Sequence, residues 1–252
     1  MKKDLFRELY KQVYELVLKD CPLTSQSDFL HGYLSVYSMV QVYPWLEDEF
    51  GGPWEIHERI REIARIRREL LQDNDIPVDV RAGYVVDLMD TYLLYSDMSF
   101  LDVALDSAYE IFTPRKQDKM TLPCRTPNIC RLLCNCYYFT GEEESGLLAR
   151  GLVTEAFGLS KKMSCEELVA WWDAIRFYES VIGEMEVSVE ERNRLIGERT
   201  RLGVSVEQIE DERIERFFRK GNNNDVCLLA NIFDILARRE FAAYNEFYGK
   251  KG

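Results

Sequence analysis

Four cysteines lie close together in the middle of the chain, and clustered thiols are common ligands of a structural zinc ion. They are Cys124, Cys130, Cys134 and Cys136. On a helix, Cys130 and Cys134 share a face, but Cys136 points about 200° away from Cys134. The cluster has no Cys-x-x-Cys spacing and no nearby histidine. We therefore predict thiols buried in a hydrophobic core, with no metal and no other cofactor.

Aspartates occur at helical spacing in two successive segments of the sequence. Asp87 and Asp90 lie in the first segment, and Asp102 and Asp106 lie in the second. Carboxylates that face each other across a helical hairpin could act as the acid and base of a glycosidase, about 5 to 9.5 Å apart. Because Asp87 and Asp90 mark the less apolar side of their segment, we expect a solvated face there. We assign no catalytic residue.

The two histidines, His31 and His57, offer little chemistry. A histidine that acts as a general base needs a reacting group within hydrogen-bond reach. The sequence has no Gly-x-Ser-x-Gly turn that would supply a serine nucleophile. His31 lies among Phe29, Leu30 and Tyr33. We interpret it as a partly buried side chain with a structural hydrogen bond.

Large aromatic side chains form the most informative group of candidate binding residues. Adjacent tryptophans cannot both point inward on a helix, because successive residues are about 100° apart. At least one of Trp171 and Trp172 therefore lies at a helix boundary, a partner surface or a groove. Aromatic rings in a helical array can stack on sugars or grip a peptide, although a wide core stripe explains them equally well. The predicted binding residues are Trp171, Trp172, Tyr178, Trp45 and Trp54.

The net charge of −12 at pH 7 argues against two classes of partner. A field of that sign repels phosphate backbones and anionic lipids, so we predict no nucleic acid and no membrane partner. No apolar run approaches the ~20 residues that span a bilayer. The amphipathic start of the chain is unlike a secretory signal. Seven cysteines, an odd number, then favour reduced thiols and a cytoplasmic location.

Helical periodicity occurs throughout the sequence, and strand patterns are nearly absent. We predict about eleven helices joined by short turns. Thr126 and Pro127 start one helix, and Gly141 follows its end. Three capping boxes, at 164–167, 188–191 and 205–208, mark further helix starts. The predicted helices include 2–19, 25 or 27 to 43, 53–72, 78–95, 99–112 and 225–248, with helix ends at Gly203 and Gly221.

Two predicted hairpins, at 78–112 and 126–157, have matching sequences. Their first helices correspond at a spacing of 44 residues and their second helices at a spacing of 45. The matched pairs are Leu88 with Leu132, Tyr92 with Cys136, Tyr95 with Phe139, Ala104 with Ala149, and Phe112 with Phe157. Two-helix repeats of about 40 to 47 residues are typical of helical solenoids and toroids. Coincidence between two amphipathic hairpins is the alternative.

Residues 132–149 resemble the helical hairpin of α/α-toroid proteins of the six-hairpin glycosidase and sugar-epimerase type. In that family a helix ends in an aromatic-Thr-Gly turn, and the next helix carries Leu-x-x-Ala. The segment is also similar to tetratricopeptide-like hairpins, and residues 90–104 form a weaker copy, so the likeness covers about 70 residues. The resemblance implies a packing motif and assigns no catalytic residue. A complete six-hairpin toroid has twelve helices.

These patterns together predict an all-α fold of stacked antiparallel hairpins, as a superhelix or partial toroid. We expect a single helical-repeat domain over residues 1–252. The leading hypothesis is a non-catalytic interaction module that binds a protein, a peptide or a second copy of itself on its concave face. The alternative is a small α/α-toroid carbohydrate-active protein, favoured by the tryptophans and the acidic pairs.

Overall fold

The computed structural model describes residues 2–73, 75–113, 120, 122–182, 188–220 and 225–248. Within these residues it has eleven α-helices and no strand, which confirms the predicted all-α class. The helices are α1 Lys2–Tyr14, α2 Leu23–Val42, α3 Glu47–Phe50, α4 Pro53–Leu70, α5 Val78–Tyr95, α6 Met98–Phe112, α7 Pro127–Thr140, α8 Glu143–Leu159, α9 Cys165–Ile182, α10 Val189–Lys220 and α11 Val226–Tyr248.

Several predicted helix ends are confirmed by their hydrogen bonds. The Thr126 hydroxyl accepts from the Ile129 N–H at 3.4 Å and so caps α7. Gly141 ends the same helix in a left-handed conformation, with φ of 71°. At the start of α9, the Ser164 N–H donates to Glu167 at 2.8 Å, and the Glu167 N–H donates to the Ser164 hydroxyl at 3.2 Å. This reciprocal pair is a capping box.

The third predicted capping box is wrong. Residues 205–208 lie inside α10, which is one continuous helix of 32 residues. The Ser205 hydroxyl donates back to the Arg201 carbonyl at 3.3 Å, as a serine inside a helix does. The predicted ninth and tenth helices are therefore one, and the short α3 restores the count to eleven. Gly221 lies outside the described residues.

Other predicted boundaries differ by a few residues. The first helix ends at Tyr14 rather than near residue 19, and a 3-10 turn, Leu18–Asp20, follows it. The cap of α6 is Asp97, whose carboxylate accepts from the Ser99 N–H at 3.0 Å. Ser99 and Asp102, a pair with capping-box spacing, therefore do not form the start of α6.

The chain divides into two compact units. The first comprises Met1–Glu69, Leu93–Ser96 and Glu212–Gly252, and the second comprises Leu70–Tyr92 and Asp97–Asp211. The single-domain interpretation of residues 1–252 stays a prediction.

In the first unit, α2 and α11 run parallel and side by side. The Asn231 amide donates to the Asp28 carboxylate at 3.4 Å, and the Tyr43 hydroxyl donates to the Asn245 side-chain oxygen at 2.9 Å. These pairs are 203 and 202 residues apart in the sequence. Because the separation is nearly constant, the two helices keep one register along their length.

The ring of Phe233, on α11, occupies the centre of the first unit. Its centroid lies 5.2 Å from that of Tyr33 and 6.1 to 6.4 Å from those of Phe6, Tyr10 and Phe29. The same ring presses against Gly32 of α2, where an added Cβ atom would lie 2.5 Å from two ring carbons. Only glycine leaves enough space for the ring at this position.

Replacing Gly32 with alanine tests this close approach. Alanine gains up to about 1 kcal/mol of helix propensity over glycine. Overpacking against a ring held by four others costs about 1 to 3 kcal/mol and outweighs that gain. We expect the free energy of unfolding of Gly32→Ala to be lower than that of wild type. Urea unfolding, followed by circular dichroism, measures it. The control, Gly151→Ala in α8, meets nothing within 4 Å and should be stabilised. Equal stabilisation of both variants would contradict this packing.

In the second unit, α7 packs against α8 and α9. The amide of Asn128, in α7, donates to the Asp79 carbonyl of α5 at 3.2 Å, so the starts of these two helices are adjacent. An ion pair between Arg81 and Glu110 joins the start of α5 to the end of α6. A second, between Arg125 and Glu155, joins the start of α7 to the later turns of α8. Each hairpin is therefore antiparallel.

The side chain of Trp172, on α9, lies against α10 at Gly203. A Cβ atom added to Gly203 would be 2.9 Å from the far edge of the indole ring. Gly203 is therefore required by a close contact rather than by a helix end, which corrects the predicted end there.

Two glycines of α10 give a matched test of the Trp172 contact. Gly197→Ala meets nothing within 4 Å, so it should raise the free energy of unfolding by about 0.5 to 1 kcal/mol. We expect Gly203→Ala to be less stable than Gly197→Ala by about 1 kcal/mol or more, because the indole must move. Adding Trp172→Ala to both backgrounds should remove this difference in thermal or urea unfolding. If the difference persists, Trp172 is not its cause.

Candidate functional site

A half-open pocket of about 260 Å³ lies in the second unit, beside the C-terminal end of α8 and the first turns of α9. Its apolar surface comes mainly from one face of α8, because Leu152, Ala156 and Leu159 recur at helical spacing. Met163 follows α8, and Trp171 of α9 completes the apolar part. Four charged residues also line the pocket: Arg125, Glu155, Lys162 and Glu167.

The capping box of α9 positions one wall of this pocket. Glu167 bonds to Ser164 and so fixes the first turn of the helix. Trp171 is four residues further on and therefore lies on the same face of α9. Its side chain is only 8% exposed, so the indole is a buried wall of the pocket rather than a surface flap.

The charges around the pocket are balanced, two of each sign. Arg125 and Glu155 form an ion pair between side chains that are 63% and 42% exposed. Hydrogen bonds from the Ser164 N–H and the Ser164 hydroxyl lower the pKa of Glu167, so its carboxylate is ionised at neutral pH. Glu167 therefore accepts hydrogen bonds and is unsuited to act as a general acid. The pocket joins an apolar floor to a charged rim.

The structure separates the two adjacent tryptophans. Trp171 lines the pocket, whereas Trp172 packs against α10 at Gly203. Tyr178, also predicted to bind, is buried on the same helix, and burial is the main reason that its pKa is raised. Of these three residues, only Trp171 lines the pocket.

Trp45 and Trp54 belong to the first unit and have different surroundings. Trp45 is 57% exposed and lies 5.4 Å, between ring centroids, from both Tyr43 and Tyr248. Trp54 is 67% exposed, and its ring centroid lies 5.4 Å from that of His57. Neither is among the residues that line the Trp171 pocket.

The acidic residues singled out from the sequence have different surroundings on their two helices. Asp87 and Asp90 are largely buried rather than solvated, which contradicts the expected exposed face. Asp102 and Asp106 are exposed on α6. The predicted solvated face is wrong because polar residues on a helix usually face water, whereas here an arginine compensates for the burial of the carboxylates.

That arginine is Arg131 of α7, which is not among the residues predicted from the sequence. It bridges two helices, with nitrogens 2.6 Å from Asp90 of α5 and 2.7 Å from Asp173 of α9. Its guanidinium also lies 5.0 Å from the centre of the Phe177 ring. Burial lowers the pKa of Arg131, but Asp90, Asp173 and then Asp87 raise it above its usual value, so the charge is permanent. One signal was available, since Arg131 interrupts an apolar run.

Replacing Arg131 with methionine should strongly destabilise the protein. The change leaves Asp90 buried without its cation, and removing one partner of a buried pair costs about 3 to 5 kcal/mol. The control is Arg219→Met, because the pair of Arg219 with Glu215 is mostly exposed and worth at most about 1 kcal/mol. Chemical denaturation measures both. Adding Asp90→Asn to Arg131→Met should recover part of the loss, and no recovery would refute the role of this pair.

Three of the four clustered cysteines are buried, as predicted for core thiols. They are Cys130, Cys134 and Cys136. Burial, the largest cause, raises the pKa of Cys134 and that of Cys136. Among the described residues, no group of three or more histidine, cysteine or acidic side chains could hold a metal ion.

The chain matches no protein-family model, no curated protein and no solved structure. The resemblance of residues 132–149 to toroid and tetratricopeptide-like hairpins therefore stays a prediction. In the part of the chain that the structure describes, no helix combines the length and the apolar character needed to cross a bilayer.

Proposed function

We propose that this protein is a non-catalytic helical-hairpin interaction module that holds an apolar side chain of a protein or peptide partner in the Trp171 pocket. The observation that carries the proposal is the composition of that pocket. A buried tryptophan and four aliphatic or sulfur-containing side chains form its floor, and charges of both signs surround it. Binding hot spots have this arrangement, with a desolvated anchor position inside a polar rim.

The size of the pocket supports a side-chain ligand. Drug-sized ligands occupy pockets of about 300 to 1,000 Å³. A volume of about 260 Å³ suits one or two apolar side chains of a longer segment, whose backbone would lie across the opening. There, Lys162 and the pair of Arg125 with Glu155 can bond polar groups of the partner.

Matching features of the two hairpins support the proposed repeat. Arg81 and Arg125 are 44 residues apart, and their partners Glu110 and Glu155 are 45 residues apart. The turns match as well, since Ser96 and Gly141, again 45 apart, both have positive φ. These are the spacings of the sequence repeat. An array of such hairpins presents one extended surface, which suits a protein or peptide partner on a concave face.

The same pocket also gives some support to the alternative, a small α/α-toroid carbohydrate-active protein. Two carboxylates, Glu155 and Glu167, and the indole of Trp171 line it. A glycosidase needs one carboxyl group that is protonated at working pH. Glu167 has a lowered pKa, and Glu155 pairs with Arg125. We therefore place this function second.

A substitution that fills the pocket tests the proposed function. Random peptides displayed on phage are selected on the wild-type protein, and their dissociation constants are measured on two variants. Leu159→Trp narrows the pocket, so we expect it to weaken binding at least about tenfold, or ~1.4 kcal/mol. Leu147→Trp is the matched control, because Leu147 lies on the same helix, is similarly exposed and does not line the pocket. It should bind like wild type.

Three results would overturn the proposal. Selected peptides could lack a common large apolar residue, or they could bind both variants equally. Wild-type protein could instead hydrolyse aryl glycosides, with loss of activity in Glu155→Gln, which would favour the carbohydrate-active alternative. Gel filtration measures whether the wild-type protein is a dimer. If it is, and if Leu159→Trp is a monomer, the partner is a second copy of the chain.

A further inference from the structure

The starts of α2 and α11 lie side by side in the first unit, and a cysteine lies at each start. The Thr24 hydroxyl oxygen is 3.7 Å from the Cys227 sulfur, although the two residues are 203 apart in the sequence. Leu23 and Val226, the first residues of the two helices, have the same separation. Cys21 precedes α2 by two residues, and Cys227 is the second residue of α11. The parallel packing therefore brings both thiols to one end of the contact between these helices.

Hydrogen bonds hold the turn that carries Cys21 against the first turns of α2. The Gln26 side-chain amide donates to the Leu18 carbonyl and to the Cys21 carbonyl, at 3.3 Å each. The Cys21 thiol donates to the Val17 carbonyl at 3.5 Å. Rotation about the Cα–Cβ bond of Cys21 breaks only this last bond, in which the thiol is a weak donor. The sulfur can therefore leave the Val17 carbonyl without any change in the backbone.

Solvent reaches both of these thiols. Cys227 is exposed and Cys21 is partly exposed. The three core thiols of α7, Cys130, Cys134 and Cys136, are buried instead. Because oxidants and other thiols react with cysteines that they can reach, the pair beside α2 and α11 is open to thiol chemistry.

The two thiols also interact through charge. Partial burial is the main reason that the pKa of Cys21 is raised, and the negative charges of Asp20, Glu62 and an ionised Cys227 raise it further. Cys227 is therefore close enough for its charge to act on Cys21. Because the raised pKa keeps Cys21 protonated at neutral pH, the exposed Cys227 is the thiol that reacts first.

We propose that Cys21 and Cys227 form a reversible disulfide, which clamps the starts of α2 and α11, by exchange with a small disulfide such as oxidised glutathione. The Cys227 thiolate attacks one glutathione sulfur, and the other glutathione leaves as a thiolate. Cys21 then gives its proton to water and attacks the Cys227 sulfur, which releases the second glutathione. One disulfide bond breaks and another forms, so two protein thiols are oxidised while oxidised glutathione is reduced to two thiols.

The place of the pair in the fold suits a clamp. Gly32 and Phe233 form the close contact of the same two helices further along their length. A disulfide between residues so distant in the sequence restricts the unfolded chain strongly, because the loop that it closes is long. Disulfides of cytosolic proteins are usually transient and redox-sensing, which fits the cytoplasmic location predicted from the sequence.

Mass spectrometry tests the linkage. The full-length protein is equilibrated with oxidised and reduced glutathione, treated with an alkylating reagent and digested. We expect a peptide pair joined through Cys21 and Cys227 as the main product, and dithiothreitol should separate it. Cys21→Ser should instead keep glutathione on Cys227, because no second thiol displaces it. The control, Cys165→Ser, removes an exposed thiol of the second unit and should form the clamp like wild type.

Thermal unfolding measures the effect of the clamp. Oxidised wild-type protein should unfold about 5 °C or more above the reduced protein, because the disulfide lowers the entropy of the unfolded chain. Cys227→Ser should unfold at the same temperature in both buffers. A positive control is Thr24→Cys combined with Cys21→Ser, which places a sulfur at the position 3.7 Å from Cys227. This variant should form a disulfide in the same buffer.

Any of three results would overturn the proposal. Wild-type protein could carry glutathione on Cys227 without a link to Cys21, while the Thr24→Cys control does form its disulfide. The link could join two molecules, which a non-reducing gel would show as a dimer. The disulfide could also form within one molecule and leave the unfolding temperature unchanged, in which case it does not clamp the two helices.

Discussion

The close approach of α2 and α11 is the contact on which the first unit depends. Phe233 can lie at the centre of four aromatic rings only because Gly32 has no side chain to exclude it. The two helices come from opposite ends of the sequence, about 200 residues apart. The entropy of closing such a loop grows only slowly with its length, so one well-packed seam can offset it. Hydrogen bonds from Asn231 and Tyr43 then hold the register of the seam.

Charge and packing together fix the second unit. Arg131 holds α5 and α9 on either side of α7 through Asp90 and Asp173. Asp173 is two residues from Trp171, so this pair constrains the rotation of α9 about its axis. On another face of the same helix, Trp172 fits against Gly203 of α10. Because these two contacts fix the orientation of α9, Trp171 lines the pocket.

Balanced charge characterises the Trp171 pocket of the second unit. Arginine and lysine balance the glutamates around Trp171, so neutral apolar anchors suit that site. This consequence follows from Coulomb energies, which are larger where part of the surroundings is apolar.

The sequence by itself determined the helical class and many helix ends, because these depend on groups within about four residues of each other. Thr126, Gly141 and the Ser164–Glu167 box are such local signals, and all three are confirmed. Ser205 and Gln208 have the same spacing as that box, yet α10 continues through them. Only tertiary structure decided this, and it also decided that Asp87 and Asp90 are buried and which side chains line the Trp171 pocket. The physical reason is that partners such as Arg131 and Asp90 lie 41 residues apart, and that each one-residue step turns a helix face by about 100°.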